Sequence, residues 1–401
     1  MNVKIKKGRA RGTVPAPPSK SMAHRMLIAA ALSEGSTVSG VALSEDIKAT
    51  IGALEKMGAA VKEVAPGKYT AGGLLPENIP ECEVNCSESG STLRFTLPLC
   101  LLSDKKVTLT GTKKLISRPL GVYEKLCRDS GLYFSKSEDS VTVKGPLKSG
   151  RYMISMNESS QFVTGLMFAL STLDEDSFIE IEGTPESLSY VDLTIETMRL
   201  FGVNVEKNEN GWRIPGGEKY RPQDCAVEGD CSNAAFLEAF NVLGGDVTVT
   251  GISKTTAQGD RVYAEYFEKI KRGETCDLAD CPDLAPVLFG IAACLGGGKF
   301  TGTRRLHLKE SDRVLAMKEE LAKFGVTVTE EENSVTVGSE KVKAPSEPLS
   351  SHNDHRIAMT MALLCTLTGG EIVGAEAVKK SYPDFFERIG TLGIEVERID
   401  T

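Results

Sequence analysis

The stretch VTVTGI, residues 247–252, decides the architecture. Branched residues alternate with threonine over four positions, which reads as a half-buried strand, and a glycine closes it. The same shape recurs in STVSGV (36–41), VTLTGT (107–112), IEIEGT (179–184), KFTGT (299–303) and EIVGA (371–375). The closing glycines are Gly40, Gly111, Gly183, Gly251, Gly302 and Gly374. They lie roughly 70 residues apart, with one interval nearer 50, and such a period marks a repeat architecture.

An apolar segment precedes each of these strands. The six are SMAHRMLIAAA (21–31), STLRFTLPLCLL (91–102), SQFVTGLMFALS (160–171), SNAAFLEAFNV (232–242), PDLAPVLFGIAAC (282–294) and HRIAMTMALLCTL (355–367). They are apolar nearly all round, so they read as buried helices. Pro98 and Pro286 fall inside two of them, where a kink or a late start is expected. A second helix follows each glycine. Ile47, Ile51, Leu54 and Met57 share one face of such a helix, and so do Val314, Met317, Leu321 and Phe324. These helices stop at glycine in KMGAAV, RDSGLYF, LFGVNV, KFGVTV and TLGIEV, and an alternating run resumes. Each unit therefore reads as strand, buried helix, strand, amphipathic helix and strand pair. Six βαβαββ units predict an α/β (α+β) fold of two lobes, each of three repeats, with buried parallel helices and outer mixed sheets.

Composition narrows the function. The 401 residues suffice for two domains, and no apolar run reaches the roughly 18–20 residues of a membrane span. The N-terminal MNVKIKKGRARGTV is basic but has no apolar signal core. The ten cysteines lack zinc-ligand spacing and only four histidines occur, so no metal site is expected and the thiols read as reduced. A cytoplasmic protein is the expectation. A net charge of −8 argues against wrapping nucleic acid, although a local cationic site can still bind small anions.

Such sites are suggested where the apolar helices start. PSKSMAHR brings Lys20, Ser21 and Arg25; SESGSTLR brings Gly90 and Arg94; ESSQF brings Ser159, Ser160 and Gln161. GDCSN, the CPD of Asp283 and the NDHR of His355 and Arg356 open the other three. A helix start carries about half a positive charge and unpaired N–H donors. Serine there is also an ordinary cap, which explains any single case. Six parallel cases with Lys and Arg point to helix starts converging on one cleft that suits phosphate and carboxylate. KESDR adds Lys309, Glu310 and Arg313, where Glu310 and Arg313 are also spaced for a plain helical ion pair. LISRP adds Arg118, read as following a strand, and KKSYPDFF adds Lys380 ahead of a helix start. No GxxxxGK[ST], GxGxxG or GxSxG motif is present.

PSKSMAHR, SGSTLRF, Arg118–Pro119, SSQF, EGDCSNAAF, PDL, KESDR, NDHR and KSYPDFF, in this order from about Lys4 to Arg398, resemble the motifs of the enolpyruvyl transferase family, in its branch acting on shikimate 3-phosphate. The resemblance implies two lobes, 1–14 with 229–401 and 15–228, with the active site in the cleft between them. It implies transfer of the enolpyruvyl group of phosphoenolpyruvate to the 5-hydroxyl of shikimate 3-phosphate, with release of phosphate through a tetrahedral intermediate and without metal or organic cofactor. Lys20, Asp283 and Glu310 would be catalytic. Shikimate 3-phosphate would meet Lys20, Ser21, Arg25, Ser159, Ser160, Gln161, Ser187, Tyr190, Asp283 and Lys309. Phosphoenolpyruvate would meet Lys20, Gly90, Arg118, Gln161, Arg313, Arg356 and Lys380. Glyphosate is an expected inhibitor at that second site, and a monomer the expected form.

Three residues depart from the family pattern: Glu88 where asparagine is usual, Pro18 where glycine is common, and His307 where arginine often stands. The sister enzyme acting on UDP-N-acetylglucosamine is an alternative, but it has Lys-Asn in the first motif and a cysteine before Arg-Pro, whereas Lys20–Ser21 and GTKKLISRP stand here. A non-catalytic repeat-built binding scaffold is the other alternative, and fold alone does not decide against it. With no ligand cluster in the sequence, phosphate release is expected to survive exhaustive chelation. Activity lost in EDTA and restored by a divalent ion would contradict this reading.

Overall fold

The computed structural model describes residues 1–399. The chain divides into two compact units, Pro18–Glu228 and Met1–Pro17 with the chain from Gly229 onward. The glycine-ended runs are strands at Ser36–Ser39, Val107–Thr110, Ser177–Glu182, Asp246–Thr250, Gly298–Thr301 and Gly370–Val373. Gly40, Gly183, Gly251, Gly302 and Gly374 take φ of +69° to +87°, a region that side chains with a Cβ rarely enter. Gly111 differs: there a Cβ would sit 2.9 Å from the Ser87 carbonyl oxygen.

The fold is mixed α/β, and five of its sheets are four-stranded with one pairing pattern. The glycine-ended strand has a parallel neighbour on one side and the first of two antiparallel strands on the other. Thus Val107–Thr110 runs parallel to Cys82–Asn85 and antiparallel to Ser140–Lys144, which pairs with Tyr133–Lys136. In Pro18–Glu228 the sheets built on Ser36–Ser39 and Ser177–Glu182 repeat this pattern. In the other unit those built on Gly298–Thr301 and Gly370–Val373 do so, the latter completed by Asn2–Ile5 and Val396–Ile399 from the two ends of the chain.

Two departures from the expected repeat have a physical origin. Among the described residues Asp246–Thr250 pairs only with Arg11–Pro15, in parallel, and no hairpin follows it. Helix Tyr263–Lys271 runs almost directly into Cys276–Asp277, leaving no segment for two more strands, which accounts for the short glycine interval. The strand before helix Lys20–Ala31 is Arg11–Pro15, yet the parallel neighbour of Ser36–Ser39 is Asp224–Ala226. Chain order and sheet order part company at that point.

The apolar helices lie inside as Lys20–Ala31, Gly90–Cys100, Gln161–Leu170, Cys231–Val242, Ala285–Leu295 and His355–Thr368, and most of their side chains are buried. Ser19, Ser89, Asp230 and Asp354 cap four of them by accepting a backbone N–H. Pro286 sits in the first turn of its helix, where the missing N–H costs nothing. Pro98 sits near the end of Gly90–Cys100 and leaves the Arg94 carbonyl without its helical donor. The Tyr123 hydroxyl fills that role at 2.6 Å. Gln161–Leu170 crosses at the same spot, where Gly165 comes so close that a Cβ would stand 2.2 Å from the Arg94 oxygen. Among the described residues no helix is long and apolar enough to cross a membrane.

Tyr123→Phe keeps the ring and removes only the donor, so the buried Arg94 carbonyl loses its partner. A loss of about 1–3 kcal/mol is expected, read as a lower urea midpoint. An unchanged midpoint would mean that another group satisfies this carbonyl.

Candidate functional site

The expected residues make several close contacts within each unit. In Pro18–Glu228, Lys20 is the first residue of its helix and its Nζ lies 2.8 Å from Asp46 Oδ2. Arg25, buried one turn on, donates from Nη1 to the Ser21 carbonyl at 2.7 Å, from Nε to Thr194 Oγ1 at 2.8 Å and from Nη2 to the Tyr190 carbonyl at 2.9 Å. It thereby ties the first helix to helix Leu188–Leu200, which Ser187 opens with a left-handed φ of +58°. Gln161 accepts from Arg94 Nη1 at 2.9 Å and donates to Ser91 Oγ at 3.0 Å, while its backbone N–H donates to Ser159 Oγ at 3.2 Å. Ser159 and Ser160 are both buried at this helix start.

Gly90 and Arg118 meet. A Cβ on Gly90 would stand 2.5 Å from Arg118 Nη1, so the space left by the missing side chain holds this guanidinium. Arg118 does not follow a strand directly. It closes a short helix, Lys113–Ser117, whose start Thr112 caps by accepting from the Leu115 N–H.

The other unit brings together Asp283, Lys309, Glu310, Arg313 and Arg356. Arg313 is 1% exposed and contacts three carboxylates: Asp283 Oδ1 from Nη1 at 2.8 Å, Glu310 Oε2 from Nη2 at 2.9 Å and Asp354 Oδ2 from Nε at 3.0 Å. Arg356 Nη2 takes the second oxygen of Asp283 at 2.8 Å, and Lys309 Nζ lies 3.7 Å from the first. Asp354 caps its helix by accepting from the Arg356 N–H at 2.9 Å. Lys380 donates to the neighbouring Asn353 carbonyl at 2.6 Å.

These contacts set the charges. Burial alone would raise the Asp283 carboxyl, but Arg356, Lys309 and Arg313 outweigh it and hold the group well below the ordinary range. Burial pulls Lys309 down to about 8, with Asp283 opposing. Asp260, whose carboxylate accepts from the Ser232 hydroxyl, is pushed up to about 6 by burial and then by the Asp283 charge. Asp283 is therefore an ionised carboxylate whose two oxygens are both held by cations.

Sequence reasoning did not single out Asp46, Asp260 or Asp354. Asp46 is an ordinary acidic residue in a helix first turn, and nothing local marks it as the partner of Lys20. Asp354 stood within NDHR in the usual capping position, and the cap was the signal for it. Among the described residues no group of His, Cys, Asp and Glu is arranged to hold a metal ion.

Cations and carboxylates crowded onto helix starts suit an enzyme that binds anions and moves protons beside them. The family model described as EPSP synthase (3-phosphoshikimate 1-carboxyvinyltransferase) matches residues 5–389. The chain is 38% identical to the 3-phosphoshikimate 1-carboxyvinyltransferase of Clostridium novyi over 97% of each chain, and 39% identical to that of Clostridium kluyveri over 98% of each. In fold it is similar to the EPSP synthase of Acinetobacter baumannii, with a TM-score of 0.78 at 24% identity, over 99% of this chain and 100% of the other. The chain belongs to the EPSP synthase family of enolpyruvyl transferases. Its activity is that of a 3-phosphoshikimate 1-carboxyvinyltransferase, in the shikimate pathway of aromatic amino acid biosynthesis.

Asp283→Asn removes the charge that holds Lys309 up, so the Lys309 pKa is expected to fall below about 8. NMR of ε-labelled lysine reads this directly. A Lys309 that titrates unchanged in the variant would show that Asp283 does not act on it.

Proposed function

We propose that the two clusters act on one substrate pair, joining phosphoenolpyruvate to the 5-hydroxyl of shikimate 3-phosphate through a tetrahedral intermediate. In this reading the architecture is two lobes of three repeats each, and the reaction needs no metal or organic cofactor. The hydroxyl gives up its proton as its oxygen bonds to C2 of the enolpyruvyl group, and C3 takes a proton to become methyl. Then the bond from C2 to the phosphate oxygen breaks, and the methyl returns a proton as the double bond re-forms.

The observation that carries this reading is the clamp on Asp283. An arriving carboxylate or phosphate competes for Arg356, Arg313 and Lys309, for which guanidinium forks are well shaped. Each cation that turns to the substrate frees a lone pair of Asp283, so binding itself raises the basicity of this carboxylate. Asp283 and Glu310 are then the proton carriers, with Lys20, positioned by Asp46, as the third catalytic group. Ser21, Arg25, Ser159, Ser160, Gln161, Ser187, Tyr190 and Lys309 serve shikimate 3-phosphate; Gly90, Arg118, Gln161, Arg313, Arg356 and Lys380 serve phosphoenolpyruvate. Arg25 and Gln161 already brace helices within their own unit, so their role includes shaping the pocket. Glyphosate competes at the phosphoenolpyruvate group, and the protein acts as a cytoplasmic monomer.

A phosphate-release assay with phosphoenolpyruvate and either shikimate 3-phosphate or UDP-N-acetylglucosamine tests the reaction, and Asp283→Asn tests the carboxylate. Turnover is expected with shikimate 3-phosphate alone, falling about 100-fold or more in the variant while binding weakens less. Turnover with UDP-N-acetylglucosamine instead, or near-normal turnover in Asp283→Asn, would contradict the reading.

A further inference from the structure

The loop that carries Lys309 and Glu310 is closed by a histidine. His307 lies in the 3₁₀ turn Arg304–Leu308, just ahead of it. Its Nδ1 is 2.8 Å from Asp312 Oδ2 and its Nε2 is 2.7 Å from Glu330 Oε1. Asp312 stands at the far end of the loop. Its other oxygen accepts the Leu315 N–H at 3.0 Å and so caps helix Arg313–Lys323, whose first residue is Arg313. Glu330 belongs to strand Val328–Glu331. One imidazole therefore joins both ends of the 308–311 segment and fastens them to a sheet.

The two contacts require two donors. A neutral imidazole has one N–H and one lone pair, so a carboxylate at each nitrogen is satisfied only by the imidazolium. We propose that His307 is a positioning residue whose imidazolium, bridging Asp312 and Glu330, holds the loop of Lys309 and Glu310 in its working place. The proposal rests on the reading that Lys309 and Glu310 serve the reaction.

The charged groups acting on the ring are Asp312, at the start of the helix, and Glu330, on the strand. Burial would lower the imidazole, but the two carboxylates outweigh it and raise the group above its ordinary value of 6.5. The sign follows from that. The bridge is complete below the ordinary value and is lost as the pH rises through the raised one. One carboxylate then faces a lone pair, and one end of the loop comes free.

The test compares wild type, His307→Arg and His307→Gln. Arginine stays charged across the pH range and offers donors to both carboxylates. Wild type is expected to lose kcat/KM for shikimate 3-phosphate on the alkaline side through an ionisation that His307→Arg lacks, over and above the Lys309 limb common to all three. His307→Gln is expected to be about tenfold or more impaired below that ionisation, as misplacement outside the reacting centre allows, and to converge on wild type above it. With only four histidines in the chain, NMR can follow His307 itself; it is expected to titrate above 6.5 and to move down in Glu330→Gln. Identical pH profiles in wild type and His307→Arg would overturn the positioning role. An imidazole titrating at or below 6.5 would overturn the bridge. Wild-type protein without turnover would overturn the functional reading on which the proposal rests, while leaving the NMR result as the separate check on the bridge.

Discussion

Arg313 is the constraint on which its unit depends. A guanidinium 1% exposed is too costly to leave unpaired, and three carboxylates answer it. They come from three places: Asp283 from the turn before Ala285–Leu295, Glu310 from the preceding loop, and Asp354 from the cap of His355–Thr368. One side chain thus fixes the starts of two buried helices relative to a third. Removing one partner of such a buried pair commonly costs about 3–5 kcal/mol, so the cluster is structural as well as chemical.

Pro18–Glu228 solves the same problem differently. Arg25 is buried as deeply, but neutral oxygens of Ser21, Tyr190 and Thr194 hold it, and burial brings it down to about 10. Neutral partners satisfy the donors without cancelling the charge. Arg25 stays a cation with its field uncompensated by any of these three groups. In the other unit Asp283, Glu310 and Asp354 surround the central arginine. The positive charge of Arg25 is therefore left uncancelled by its hydrogen-bond partners, whereas that of Arg313 is matched by carboxylates.

Much of the fold was legible because its signals are local. Strands such as Val107–Thr110 alternate, five of the six closing glycines need a positive φ, and helices such as Ala285–Leu295 are apolar on every face. What was not legible was pairing across the chain. Nothing near Arg11–Pro15 shows that its partner is Asp246–Thr250, nor that Asp224–Ala226 takes the place beside Ser36–Ser39. The missing hairpin after Lys271 showed only as a short interval. In the site, the cationic residues were visible by type and motif, while their partners were not. Asp46 is 26 positions from Lys20 and Asp283 is 30 from Arg313, distances over which spacing carries no information. Arg118 follows a helix and not a strand because Thr112 in GTKKL caps a helix start there, a signal as local as the glycines.

The cations themselves stand at the starts of helices. A helix start is the positive end of its dipole, and acidic residues are the ones that stabilise it. Here Lys20 and Arg313 are the first residues of their helices, Arg356 is the second of its own, and Arg118 lies against Gly90, the first residue of another. None of these four helices has an acidic residue in its first turn, although Asp312 and Asp354 cap two of them with a carboxylate oxygen. Each of these cations lies at a helix end that already carries positive charge. The carboxylates of Asp46 and Asp283 relieve part of this conflict for Lys20, Arg313 and Arg356. The fold thus fixes positive charge in position at these helix starts, and on the proposed reading that preorganised charge is what an anionic substrate meets.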